Sequence, residues 1–292
     1  MTPGSRYDTA GKPGTSTAIR ALVANADIEV IPLPNAADKL HAVPAGTTIT
    51  VTTSAKVGLD RTLAFAERAS RAGFDVVPHL AARLLTGEEE LRRFVGRLGE
   101  LEIGELYLIG GDAAPPVGPY NESLQVLRAL EHIDHGLRRI GVACYPEGHP
   151  KISDAALLEA LRAKQPYSAY MASQLCFSPD VLLSWLRGIR GAGVTLPLHI
   201  GLAAPMQLRR LLALGSQIGV GSSLRYLTKQ HGLISGMLLD GAYRPESLLL
   251  RMGDALTSQD LGIGRVHLFS FNQVDITVEW QQRIAGRPSA AA

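Results

Sequence analysis

The residues of this chain that could do chemistry gather where short apolar runs end. The clearest case is Gly141-Val142-Ala143-Cys144, which empties into Tyr145-Pro146-Glu147-Gly148-His149-Pro150. The arrangement recurs in Val77-Pro78-His79-Leu80, Leu108-Ile109-Gly110-Gly111-Asp112, Ala172-Ser173-Gln174-Leu175, Leu198-His199-Ile200-Gly201 and Val266-His267-Leu268-Phe269. Buried parallel strands read as such runs, and functional polar groups collect on the loops that leave them. If these ends share a face, one mouth holds an aspartate, a glutamine and several histidines. Glu29, in Ile28-Glu29-Val30-Ile31, reads either as a solvent-facing residue or as a desolvated acid able to donate a proton near neutral pH. Gly110-Gly111 ahead of Asp112 lets backbone N–H groups approach a ligand, and equally suits an ordinary turn. Gln174 donates and accepts at once, which suits a pterin or a nicotinamide, or a core amide bonded to backbone. His79, His149, His199 and His267 invite a metal. No His-x-His or His-x-x-x-His pair occurs, so the spacing favours scaffolding or ligand contact and no metal site is expected.

These ends need elements to hold them. Strands are expected over Ile28–Ile31, Thr47–Thr53, Asp75–His79, Glu105–Ile109, Arg139–Cys144, Ser168–Gln174, Leu196–Gly201 and Arg265–Phe271. Helices are expected between them: Asp60–Ala72, a helix opened by a Thr86/Glu89 capping box and running to Leu98, Asn121–Ile133, Ser153–Lys164, Pro179–Gly191, Met206–Leu214 and Pro245–Leu256. Two short ones, Ser223–Gln230 and Leu233–Leu239, are expected in a looser stretch. Alternation without hairpin turns argues for parallel pairing and a single α/β (β/α)8 barrel, whose chemistry sits at the C-terminal strand ends. The expected division is a disordered tail over 1–20, the barrel over 21–285 and a frayed end over 286–292.

The 292 residues suffice for a large core, and 29 basic against 27 acidic residues leave a net charge of +2. That balance gives no broad pull toward nucleic acid or an anionic membrane, so small-molecule partners are expected. Two cysteines, Cys144 and Cys176, argue against a disulfide-built secreted domain and for a reducing, cytoplasmic setting. They are expected to be buried and inert. The first residues lack an apolar signal-peptide core, and no run is long enough to span a bilayer. Gly-x-Gly-x-x-Gly, the P-loop and Gly-x-Ser-x-Gly are all missing from the sequence.

Tyr145-Pro146-Glu147-Gly148-His149-Pro150 resembles the Tyr-Pro-Glu-x-His-Pro signature of the methylenetetrahydrofolate reductases, a flavin-containing barrel family. Weaker matches follow in the same order: Ile28-Glu29-Val30-Ile31-Pro32, Val51-Thr52-Thr53, Pro78-His79-Leu80, Gly111-Asp112, Ser173-Gln174-Leu175 and His267-Leu268-Phe269-Ser270-Phe271-Asn272-Gln273. The resemblance implies FAD as cofactor, NADH or NADPH as reductant and a tetrahydrofolate as substrate in one-carbon metabolism and methionine biosynthesis, with ping-pong hydride transfer. It implies that Glu29 protonates the methylene-bridged folate and that Asp112 lies near flavin and pterin. Thr52, Thr53, Ala55, His79, Gly110, Gly111, Asn121, Tyr145, His149, Arg162 and Lys164 fall at cofactor positions, and Gln174, Arg210 and Gln273 at substrate positions. Self-association into a homo-oligomer stays open.

The chain also departs from the family pattern. The arginine before Gly-Asp is Gly110, a glutamine and a stacking phenylalanine are Arg210 and Leu214, a tyrosine is Phe269, and the final arginine is Gln273. Two other classes therefore stand beside the first: a flavin-free folate-binding or regulatory barrel, and a metal-dependent barrel lyase or hydrolase.

Overall fold

The strand residues that alternate outward, among them Ile28, Val30, Ile49, Val51, Leu80 and Leu106, are fully buried in one continuous core beneath the helices. Burying each such side chain stabilises by roughly 1.5–3 kcal/mol, so this shell holds the barrel closed. The computed structural model describes residues 13–217, 238–239 and 242–286. In chain order the strands are β1 (Asp27–Val30), β2 (Thr48–Val51), β3 (Asp75–Ala81), β4 (Glu105–Ile109), β5 (Arg139–Cys144), β6 (Tyr170–Ser173), β7 (Leu198–Ala203), β8 (Met206–Gln207), β9 (Leu238–Leu239), β10 (Ala242–Tyr243) and β11 (Ile263–Phe269). Eight of them close an all-parallel barrel in the order β1-β11-β7-β6-β5-β4-β3-β2. The short β8, β10 and β9 form a separate antiparallel sheet. The helices α1 (Pro13–Ala24), α2 (Leu59–Arg71), α3 (Glu88–Glu100), α4 (Ser123–Leu130), α5 (Asp154–Lys164), α6 (Pro179–Gly191) and α7 (Leu208–Gln217) are followed by Glu246–Met252 and Val274–Ala285. This is the single (β/α)8 barrel expected from the alternation of strands and helices.

Two glycines let neighbouring strands and rings approach. A Cβ at Gly201 would lie 2.2 Å from the Ser173 carbonyl oxygen, and one at Gly141 would lie 2.2 Å from the Tyr170 ring. The Gly201 N–H donates to Ser173 Oγ at 2.8 Å, so β6 and β7 are pinned at the place a side chain would separate them.

Several boundaries differ from the sequence reading. Residues 13–20, in the expected tail, belong to α1, which runs on to Ala24. Its Ile19 and Val23 are buried, and Gln281 Nε2 donates to the carbonyls of Val23 and Ala26. The partner that orders this helix lies at the far end of the sequence. Thr86 bonds Glu90, not Glu89, and α3 begins at Glu88. The stretch expected as helix from Met206 starts as β8, and Leu238–Leu239 are strand rather than helix because β10 pairs with both. Residues 223–230 lie outside the described residues. The last helix continues to Ala285 and is stopped by Gly286 in the left-handed region. Among the described residues no helix is long and apolar enough to cross a membrane.

Candidate functional site

The inward positions of the strands carry polar groups in two layers. The lower layer contains Asp27, His199, Arg265 and Tyr170. Arg265 NH1 bonds Asp27 Oδ1 at 2.7 Å, His199 Nδ1 lies 3.4 Å from Asp27 Oδ2, and Tyr170 stacks on His199 with centroids 4.1 Å apart. Burial works to raise the Asp27 pKa, but the His199 hydrogen bond and the Arg265 charge outweigh it and hold the carboxyl below its usual range. For His199 burial dominates, and its pKa is lowered despite Asp27.

The upper layer centres on Glu29. His267 Nε2 is 3.0 Å from Glu29 Oε2, and His79 Nε2 is 3.9 Å from the same oxygen. These residues come from β1, β11 and β3, and β3 is not a neighbour of β11 in the barrel, so they meet through its interior. The Glu29 side chain retains 12% of its exposure, against 5% for His79 and 4% for His267. His79 packs edge-on against Tyr107, with centroids 4.7 Å apart, and the Tyr107 hydroxyl donates to the Ala172 carbonyl at 3.2 Å. Burial, reinforced by the His267 charge, pushes the His79 pKa well below the ordinary imidazole value.

The turn after β11 fixes the Glu29 backbone. Ser270 Oγ donates to the Glu29 carbonyl, and the Asn272 side chain accepts from Ile31 N at 2.8 Å and donates to Ile31 O at 2.9 Å. Phe271 and Asn272 adopt φ of 49° and 60°, left-handed backbone that non-glycine residues enter at a cost of order 1–2 kcal/mol. That cost buys the double amide bond that ends β1 in one geometry.

The loops at this end hold most of the other expected site residues. Asp112 is exposed on the loop after β4, beside Gly111 at φ 87°, where a Cβ would crowd Ala81 Cβ at 2.9 Å. Arg83 ties that loop down, Nε donating to Ala113 O at 2.7 Å and NH1 to Asn121 O at 3.3 Å. Tyr145 and His149 form an edge-on pair with centroids 5.0 Å apart. Glu147 is structural: its Oε1 accepts from Phe177 N and Ser178 N at 2.7 and 2.8 Å, fastening the loop after β5 to the start of α6. The amide oxygen of Gln174 accepts from Leu175 N at 2.9 Å. Thr53 is buried, Thr52 is half-buried and Ala55 is exposed on the loop after β2.

Other expected site residues sit on the helices. Arg162 is exposed on α5 and paired with Glu159 at 3.0 Å. Lys164 ends α5 and lines a cavity of about 30 Å³ with Cys144 and Tyr145; burial lowers its pKa. Arg210 is exposed on α7, while Gln273 is half-buried at the start of the last helix. Cys144 and Cys176 are free and buried, and burial pushes both thiols up, as expected of inert ones.

The sequence reading missed Asp27, Tyr107, Tyr170, Arg265 and Arg83. Asp27 was within reach of it, because it lies two residues before Glu29 on the same strand face. The others act through partners remote in sequence. Equally, spacing could not reveal that Glu29, His79 and His267 converge, since each stands on a different strand.

A family model described as methylenetetrahydrofolate reductase matches residues 28–216. The chain belongs to the methylenetetrahydrofolate reductase family. Among solved structures, an uncharacterized protein from Clostridium thermocellum, described as binding two copies of 5-methyl-5,6,7,8-tetrahydrofolic acid, matches with a TM-score of 0.62 at 11% identity. That match covers 92% of this chain and 97% of that protein. A 2,3-dimethylmalate lyase of the PEP mutase/isocitrate lyase superfamily matches with a TM-score of 0.50 at 10% identity, covering 92% of this chain and 82% of the lyase. At these identities both are likenesses of fold.

Proposed function

We infer that this protein reduces a methylene-bridged tetrahydrofolate to the methyl form with hydride drawn from NADH or NADPH. The observation that carries the reading is Glu29, largely desolvated and 3.0 Å from His267 Nε2, at the mouth of a barrel of this family. Protonated Glu29 gives its proton to the bridging nitrogen. The carbon–nitrogen bond breaks, an iminium forms on the substrate, and hydride adds to its carbon. His267 holds the carboxyl in place and exchanges protons with it. Asp112 and Gln174 are the groups proposed to meet the pterin or the nicotinamide.

For FAD the ring side fits. Thr53 Oγ1, His79 Nε2 and Gln273 Nε2 are buried polar atoms without a hydrogen-bond partner, and Gly111 leaves backbone exposed beside Asp112. Thr53, His79 and Gly111 would then hold the ring system, with Tyr145 and His149 flanking it. When bound, the flavin would supply a relay that takes hydride from the nicotinamide and passes it on.

A second reading has its own observation. Position 110 has no side chain, and Arg83 and Arg162 are both engaged by chain oxygens. Position 110 therefore offers a diphosphate tail no guanidinium, which favours a weakly held flavin or direct passage of hydride from nicotinamide to folate. Absorbance of the purified protein separates the cases. A flavin band bleached by NADH or NADPH and restored by methylenetetrahydrofolate supports the relay. Methyltetrahydrofolate formation by colourless protein supports direct transfer, and absence of folate reduction in both preparations refutes the function.

A further inference from the structure

We propose that Glu29, His79 and His267 form a binding site for a divalent transition metal of the zinc class, whose occupation takes up the carboxylate oxygen that the two imidazoles share. Both imidazoles present Nε2 to the same carboxylate oxygen, at 3.0 and 3.9 Å, and all three ligand atoms lie within 4.8 Å of one another. Ligands around tetrahedral zinc sit about 3.3–3.5 Å apart, so small side-chain rotations close the set. One carboxylate and two imidazoles form a donor set that zinc, cobalt(II) and iron(II) accept.

A second observation points to a ligand. His79 Nε2 is buried, aimed at the carboxylate and without a hydrogen-bond partner. An unsatisfied buried nitrogen costs about 1–3 kcal/mol, which a coordinate bond would remove. His267 is the imidazole beside the proton donor, so His79 Nε2 is left for a ligand, and a metal there would exclude the flavin contact proposed for it. The Tyr107 ring, fixed by its hydroxyl bond to Ala172, holds the His79 ring in the required orientation. A bound ion occupies the Glu29 carboxylate, so it blocks the proton transfer proposed for that residue instead of serving it. The site itself does not depend on the folate reading.

Equilibrium dialysis of the purified full chain against zinc chloride, followed by metal analysis, tests it. One zinc per chain is expected, weakened at least about tenfold in His79→Gln and Glu29→Gln, since loss of even outer partners of a metal site costs about 10–100-fold. Should His79→Gln fail to fold by circular dichroism, Glu29→Gln decides. Zinc that does not bind, or that binds equally to the folded variants, overturns the site. A chelator should restore any turnover lost to zinc. If it abolishes turnover of untreated protein, the inhibitory role is refuted. Absence of folate reduction with zinc still bound at this site would sink the proposed function alone.

Discussion

At the scale of single residues, everything turns on how one carboxyl is held. Glu29 is gripped at its head by His267 and at its carbonyl by Ser270, while Asn272 holds the backbone of Ile31 two residues on. Glu29→Gln keeps the shape and removes the proton; general acid catalysis is worth about 10²–10⁴-fold, so folate reduction should fall by that factor while nicotinamide binding is unchanged. Steady-state kinetics read with each substrate varied check this, and equal losses in both would remove Glu29 as the donor. Asn272→Ala strands the amide and carbonyl of Ile31, at a cost of about 1–3 kcal/mol seen as a lowered urea midpoint with unchanged slope. The motif Asn272-Gln273 was visible in the sequence as part of a resemblance. Its physical task, closing the end of β1, was not, because the partner lies 241 positions away.

At the scale of elements, the site depends on strands that approach more closely than side chains allow. Gly201→Ala would push β7 from the Ser173 carbonyl, and strain of this kind costs roughly 1–3 kcal/mol or more. Thermal unfolding should register it as a clear drop in Tm, whereas Gly99→Ala, on α3 with open space at its Cβ, should be neutral or stabilising. The strands were legible because their outward faces are continuous apolar runs, and Glu105–Ile109 and Arg139–Cys144 were read to the residue. Elements ordered by distant partners were not: α1 is held by the last helix, and β8–β10 exist only as pairs. The candidate site was legible at the strand ends, where side-chain type changes abruptly. Of the layer beneath it only His199 was read, because Asp27 and Arg265 look like ordinary surface residues until they meet.

At the scale of the molecule, the barrel stores charged and polar groups in its interior, and its stability should follow their protonation. His79 and His199 have folded pKa values lowered by burial, so the unfolded chain binds their protons more readily. Stability is then complete at neutral pH and falls as pH drops through about 6.5 toward the folded values. Asp27, also lowered, adds a second loss below about pH 4. Urea midpoints measured across this range should decline on acidification, with a shallower decline for His79→Gln; a flat profile would show that these histidines are not buried neutral. The proposed function sets the acid of this interior under a hydride-accepting substrate. The most direct measurement is an anaerobic single turnover of the purified protein with NADH or NADPH and methylenetetrahydrofolate, with product identified by mass. The account predicts methyltetrahydrofolate from the native chain and a loss of at least about 100-fold for Glu29→Gln. Methyltetrahydrofolate formed equally fast by the variant, or not at all by the native chain, would contradict it.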